Sequence, residues 1–137
     1  MILNQWITIG DTVKPSKGGR YYSKDVWEAL YDKVKFEPCR FFVYKFTQTG
    51  APELLLNDII AEVEDVRINE TVDVKIRLME TPESKIYKAL LETNLFNYLV
   101  PYGFGKVDEN NNVWDYNPLC LMSNDEGAFE SSTPIKL

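Results

Sequence analysis

Residues Val72 to Val107, VDVKIRLMETPESKIYKALLETNLFNYLVPYGFGKV, decide how the rest of the chain is organised. Val72, Val74, Ile76 and Leu78 alternate with Asp73, Lys75 and Arg77, so a strand over Val72 to Met79 turns an apolar face inward and a charged face to water. Thr81 then stands as a helix N-cap, with Pro82 at the first helical position and Glu83 in the first turn, where a carboxylate suits the helix dipole. The spacing predicts a helix to about Asn94 that buries Ile86, Ala89, Leu90 and Thr93. A second strand follows over Tyr98 to Val107, its glycines Gly103 and Gly105 marking bends or the close approach of another backbone.

Outward from this stretch, Leu54 to Ile68 predicts a strand with an irregular start, and Asn69-Glu70 turns it back into the Val72 strand as a hairpin. Asp108 to Asn112 reads as a hairpin loop, since asparagine tolerates positive φ and bonds to its own backbone. Val113 to Met122 returns as a strand in which Pro118 marks an edge or a bulge. Upstream, Leu3 to Val13 gives an opening strand bulged near Gly10, and Lys14 to Gly19 a turn. Ser23 begins a helix to about Val34, with Val26, Leu30 and Val34 on its buried face and Trp27 and Tyr31 beside it. Pro38 breaks the chain before a strand at Arg40 to Phe46. There Phe42 and Tyr44 alternate with Phe41 and Val43, so the strand is either buried on both sides or offers its outer face to a partner. The sum is an α+β fold, a mixed or antiparallel sheet or partly closed barrel of about six or seven strands with two helices. It forms a single globular domain over residues 1–122, followed by an extended or mobile tail over 123–137 whose Phe129, Ile135 and Leu137 suit an arm anchored on a neighbouring subunit.

The strand, capped helix and Gly-containing strand that closes on GFGKV resemble the carboxyl half of the prohead maturation protease family of tailed phages, which shares its fold with herpesvirus assemblins. GGRYYSKDVWEAL resembles that family's N-x-R-x-Y-P-x-x-V/L opening of the first helix, matched at Arg20, Tyr22 and Val26, with Ser23 in place of proline. The likeness runs from Trp6 to Tyr116 in the same element order. It implies a serine nucleophile early in the strand after the second helix, activated by a histidine from the loop before the central hairpin. The positions that match the nucleophile are Val100 and Pro101, and the histidine falls between Thr47 and Pro52 in a chain with no histidine at all. A serine needs a nearby base to become a useful nucleophile near neutral pH, and both partners are missing here.

Other constellations add no chemistry. Ser84 with Lys88 reads as an exposed helical pair rather than a Ser-Lys dyad. Glu62, Glu64 and Asp65 read as the solvated face of a strand. Asp108 to Asn112 lacks the alternation and the distal glutamate of a calcium loop, and Gly103-Phe104-Gly105 lacks the spacing of a phosphate loop. No metal or cofactor is expected. Cys39 and Cys120 stand far apart with no CxxC pairing, as reduced thiols do in a cytosolic protein.

Net charge -6 and a pI near 4.7 argue against nucleic acid, which asks for clustered Lys and Arg. No run reaches membrane-spanning length, and MILNQWITIG lacks the basic and apolar regions of a signal peptide. The expected protein is therefore no enzyme. It is a phage structural or assembly protein on a prohead-protease-like scaffold without its reactive pair, found in the virion or the host cytoplasm. Its partners are other virion proteins or itself as a homo-oligomer, met through the surplus aromatics Tyr98, Tyr102, Phe104, Phe42 and Tyr44. The rival reading is a small acidic inhibitor of a host enzyme that stays outside the particle.

Overall fold

In a computed structural model the chain forms β1 (Ile7–Asp11), α1 (Lys24–Phe36), β2 (Phe42–Tyr44), β3 (Ile59–Ile68), β4 (Thr71–Leu78), α2 (Pro82–Glu92), β5 (Tyr98–Val107) and β6 (Val113–Asn124). The structure describes residues 3–36, 41–45 and 55–137. Pro38, Cys39, Arg40, Phe46 and the Thr47 to Pro52 loop therefore lie outside the described residues. The strands form a single sheet in the order β1-β4-β3-β2-β6-β5, and only β2 and β6 run parallel. The sheet curls until its edge strands β1 and β5 come near each other, which makes a half-barrel. This is the mixed, partly closed sheet with two helices that the sequence pattern predicts.

The β3–β4 hairpin pairs Ile68 with Val72 around Asn69-Glu70, and Val72, Val74 and Ile76 are fully buried as their alternation requires. A register shift between Val63 and Asp65 resets the faces of β3. Glu62, before that shift, departs from the expected solvated row: it is 2% exposed and ion-paired with Arg77, which also reaches Glu64 at 2.9 Å. A buried carboxylate loses its hydration, so a cation has to meet it. β1 is shorter than expected, with its bulge between Thr8 and Gly10. Gly10 is required there, because a Cβ would sit 2.4 Å from Cζ2 of Trp27.

Both helices form where expected, and both are rotated from the expected faces. Thr81 caps α2 as predicted, its hydroxyl accepting from Ser84 N at 3.2 Å. Ser84, Tyr87 and Leu91 are the buried positions, however, while Ile86 is 64% exposed and Ala89 faces water. The cause is a tertiary anchor: the Ser84 hydroxyl donates to the Ile60 carbonyl at 2.8 Å, so Ser84 is no exposed partner of Lys88. In α1 the most buried residues are Trp27 and Leu30, with Tyr31 exposed. The stripe centres on Trp27 because its indole N–H donates to the Asp11 carbonyl at 3.2 Å and its ring covers Gly10.

β6 runs two residues beyond the expected Met122, and Pro118 sits beside a register shift opposite Gly103. The loop between β5 and β6 is built on Asp108, whose carboxylate accepts from the backbone of Asn110 and Asn112, with Asn111 at φ 63°. After β6 the backbone returns to the same body in extended form. Thr133 N donates to the Thr8 carbonyl at 3.1 Å and Ile135 N to the Asn97 carbonyl at 2.7 Å, which sets this run into the seam between β1 and the start of β5. Phe129 and Ile135 are 3% and 1% exposed within the core, and Leu137 faces water. Rather than reaching for a neighbouring subunit, the two anchors cover apolar surface that the open seam would leave wet.

Candidate functional site

At the β5 edge, the turn before α1 and the residues after β6 rise as two walls and leave a groove of about 460 Å³. Val100 and Pro101 line it from β5, Lys17 and Arg20 from the turn, and Glu126 and Ala128 from the chain after β6. Its floor is aromatic. Tyr22 lies 5.4 Å from Trp27 and 5.6 Å from Tyr116 between ring centroids, and Phe129 lies 5.9 Å from Trp27.

Each part is placed by local backbone chemistry. Tyr21 exchanges backbone bonds with Asn111 and Val113 at 2.9 and 2.8 Å, which brings Tyr22 beneath β6. Gly105 lets the Tyr116 ring lie against β5, since a Cβ there would come 3.2 Å from its Cδ2. The turn carrying Lys17 is closed by Ser16 N bonding to the Arg20 carbonyl at 2.8 Å, with Gly19 at φ 84°. A bond of 2.9 Å from Lys17 N to the Ala128 carbonyl ties the two walls together.

The titratable groups of the floor are held neutral. Burial raises the Tyr116 and Tyr22 phenols above their ordinary range, the latter partly offset by Arg20, so both stay neutral donors. Burial likewise pushes the Cys120 thiol up to about 12, which removes it as a nucleophile. Among the described residues neither Lys17 nor Arg20 forms an ion pair. The same residues contain no group of three His, Cys, Asp or Glu placed to hold a metal, and no helix long and apolar enough to cross a membrane.

Asp11 braces the walls from below and is 5% exposed. Burial works to raise its carboxyl, but the backbone N–H groups of Lys14 and Val13 and the Ser131 hydroxyl outweigh that and hold it below the usual value. A lowered folded-state value means that the carboxylate stabilises the fold above its unfolded value of about 3.9. That stability is lost as the pH falls through the folded value. Asp11→Asn should therefore cost about 1.5–3 kcal/mol near neutral pH, with the gap to wild type closing in urea unfolding as the pH falls below the unfolded value. A gap that stayed constant with pH would show that the charge contributes nothing.

A curled, mixed half-barrel sheet with two helices is a fold already seen in a phage enzyme. The fold is similar to that of the bacteriophage T4 capsid assembly protease, gp21. The two structures match with a TM-score of 0.63 over 82% of this chain and 78% of the T4 protease, at 14% sequence identity. No protein-family model and no curated protein matches the sequence. At that identity the likeness to the T4 protease carries the fold alone.

None of the five expected contact residues lines the groove; they spread over several places. Tyr102 and Phe104 meet edge-on at 5.8 Å on the β5–β6 ribbon, outside the groove. Phe42 and Tyr44 are half-buried on β2, and Tyr98 packs toward Gly127. The sequence reading took Trp27 as core and missed Tyr116, Lys17 and Arg20 as groove residues. Arg20 and Tyr22 were visible as a motif, but nothing in the sequence said that they share a groove with Pro101. A second hollow of about 590 Å³ lies between α1 and β3, beside Trp6. Two of its lining charges are paired, Asp65 with Lys35 and Arg67 with Asp73, and Arg67 stacks 4.4 Å from the Trp6 ring.

Proposed function

We propose that this chain is a phage structural or assembly protein that keeps a prohead-protease-like groove as a docking place for a segment of another virion protein and performs no peptide cleavage. One observation carries the reading. Val100 and Pro101, the positions that the family resemblance gives to the nucleophile, line the groove, and both are hydrocarbon. With no histidine anywhere in the sequence, the groove offers shape, an aromatic floor and two cations, Lys17 and Arg20, with Glu126 across from them, but no activated nucleophile. β5 is an edge strand, so an extended segment can add beside it. Pro101 has no N–H, which leaves the ladder there to carbonyl groups and puts more of the binding on side chains.

In this reading the protein resides in the particle or in the host cytoplasm during assembly. The test is to quantify the protein in purified particles and to incubate it with capsid and scaffold proteins, reading cleavage by mass spectrometry. Stoichiometric presence and no cleavage are expected. Cleavage that persists in the Val100→Ala and Pro101→Ala variants would overturn the proposal. The net charge of -6 favours one other reading, an acidic inhibitor of a host enzyme, and absence from particles would point to it.

A further inference from the structure

We propose that two copies of this chain meet through the free face of the β5–β6 ribbon, about a two-fold axis. Phe104 to Val107 are all exposed as the ribbon leaves the body of the sheet. Tyr102, Phe104 and Lys106 share one face by strand alternation, and Trp114 stands opposite Lys106 on β6. Phe104 is 62% and Trp114 50% exposed, and the Lys106 ammonium lies 4.9 Å from the Trp114 ring centroid. Large rings kept in water on one face mark a contact surface.

Charge identifies the occupant. A chain of net charge -6 repels its own copies over most of its surface; on the ring-bearing face of the ribbon, clear of Asp108 and Glu109 in its turn, Lys106 and Asp115 are one charge of each sign. The nearest acid to Lys106 is Asp115, at 3.9 Å, with the two side chains 64% and 68% exposed. A pair so long and so wet contributes little within one chain. A two-fold axis sets Lys106 of each copy against Asp115 of the other, and the rings against rings. A face with one charge of each sign beside three rings complements itself, as an isologous contact requires. This contact does not use the groove, so self-association and peptide docking succeed or fail separately.

The test is sedimentation velocity from about 1 µM to about 500 µM on wild type, Lys106→Asp and Asp115→Lys. Wild type should dimerise with rising concentration, and each variant alone should dissociate at least about tenfold more readily. An equal mixture of the two variants should dimerise again, because one copy presents two acids and the other two cations. Phe104→Ser with Trp114→Ser should leave the thermal melt in place and abolish the dimer. Monomeric wild type throughout the range overturns the proposal, even if the ribbon then captures a different virion protein. So does a charge variant that dimerises as wild type does, or a mixture that associates no better than its parts.

Discussion

Trp27→Ala should lower stability by about 3–5 kcal/mol, the range for truncating a buried tryptophan. The residue is 1% exposed, its indole N–H bonds to the Asp11 carbonyl, and its ring packs against Tyr22, Tyr116 and Phe129. Removing it opens a cavity under the groove and leaves a backbone carbonyl without its donor. The neighbouring glycine makes the argument specific. In wild type Gly10→Ala forces a Cβ to 2.4 Å from the Trp27 ring, an overpacking that should cost about 1–3 kcal/mol. Once Trp27 is alanine, the same methyl enters empty space and should cost nothing or recover part of the loss. Denaturant unfolding of the four proteins measures this coupling. If the two substitutions simply add, the ring does not bear on Gly10.

Phe129→Ala is the second large effect, again about 3–5 kcal/mol. Phe129 is 3% exposed and meets Tyr22 at 5.7 Å, so it belongs to the groove floor although it lies beyond the last strand. Its loss should also loosen the run that fills the seam. Thr133 and Ile135 amides, which bond to the Thr8 and Asn97 carbonyls, should exchange with solvent faster than in wild type, while β4 amides keep their protection up to the global limit. A loss below about 1 kcal/mol with unchanged exchange would mean that the seam closes without this side chain.

Where a stretch carries its own instructions, the sequence was enough. β4 buries Val72, Val74, Ile76 and Leu78 as alternation requires, Thr81-Pro82 starts a helix by capping chemistry, and Asp108 closes its loop through its own carboxylate. Asp73, expected in water, is instead 6% exposed and paired with Arg67. What failed was set by distant partners. A helical stripe can shift by one residue with little change in pattern, and the bond from Ser84 to Ile60 chose Tyr87 over Ile86. Glu62 looked solvated because its burial and its ion pair with Arg77 across the hairpin are tertiary facts. The groove floor draws Tyr22, Trp27, Tyr116 and Phe129 from separate elements, and an aromatic share of 13% announces rings without saying where they converge. Val100 and Pro101 were singled out by the family resemblance, as the positions matching its nucleophile, and not by periodicity; that both line a groove comes from the structure.

The Gln5 side chain donates to the Pro134 carbonyl and accepts from Lys136 N, both at 3.0 Å, so residues near opposite ends of the sequence are hydrogen-bonded neighbours. Such proximity makes the covalent order of the elements adjustable. A circularly permuted chain, joined across that contact by a short glycine-serine bridge and reopened inside the exposed Asp108 to Asn112 turn, keeps every strand pairing of the parent.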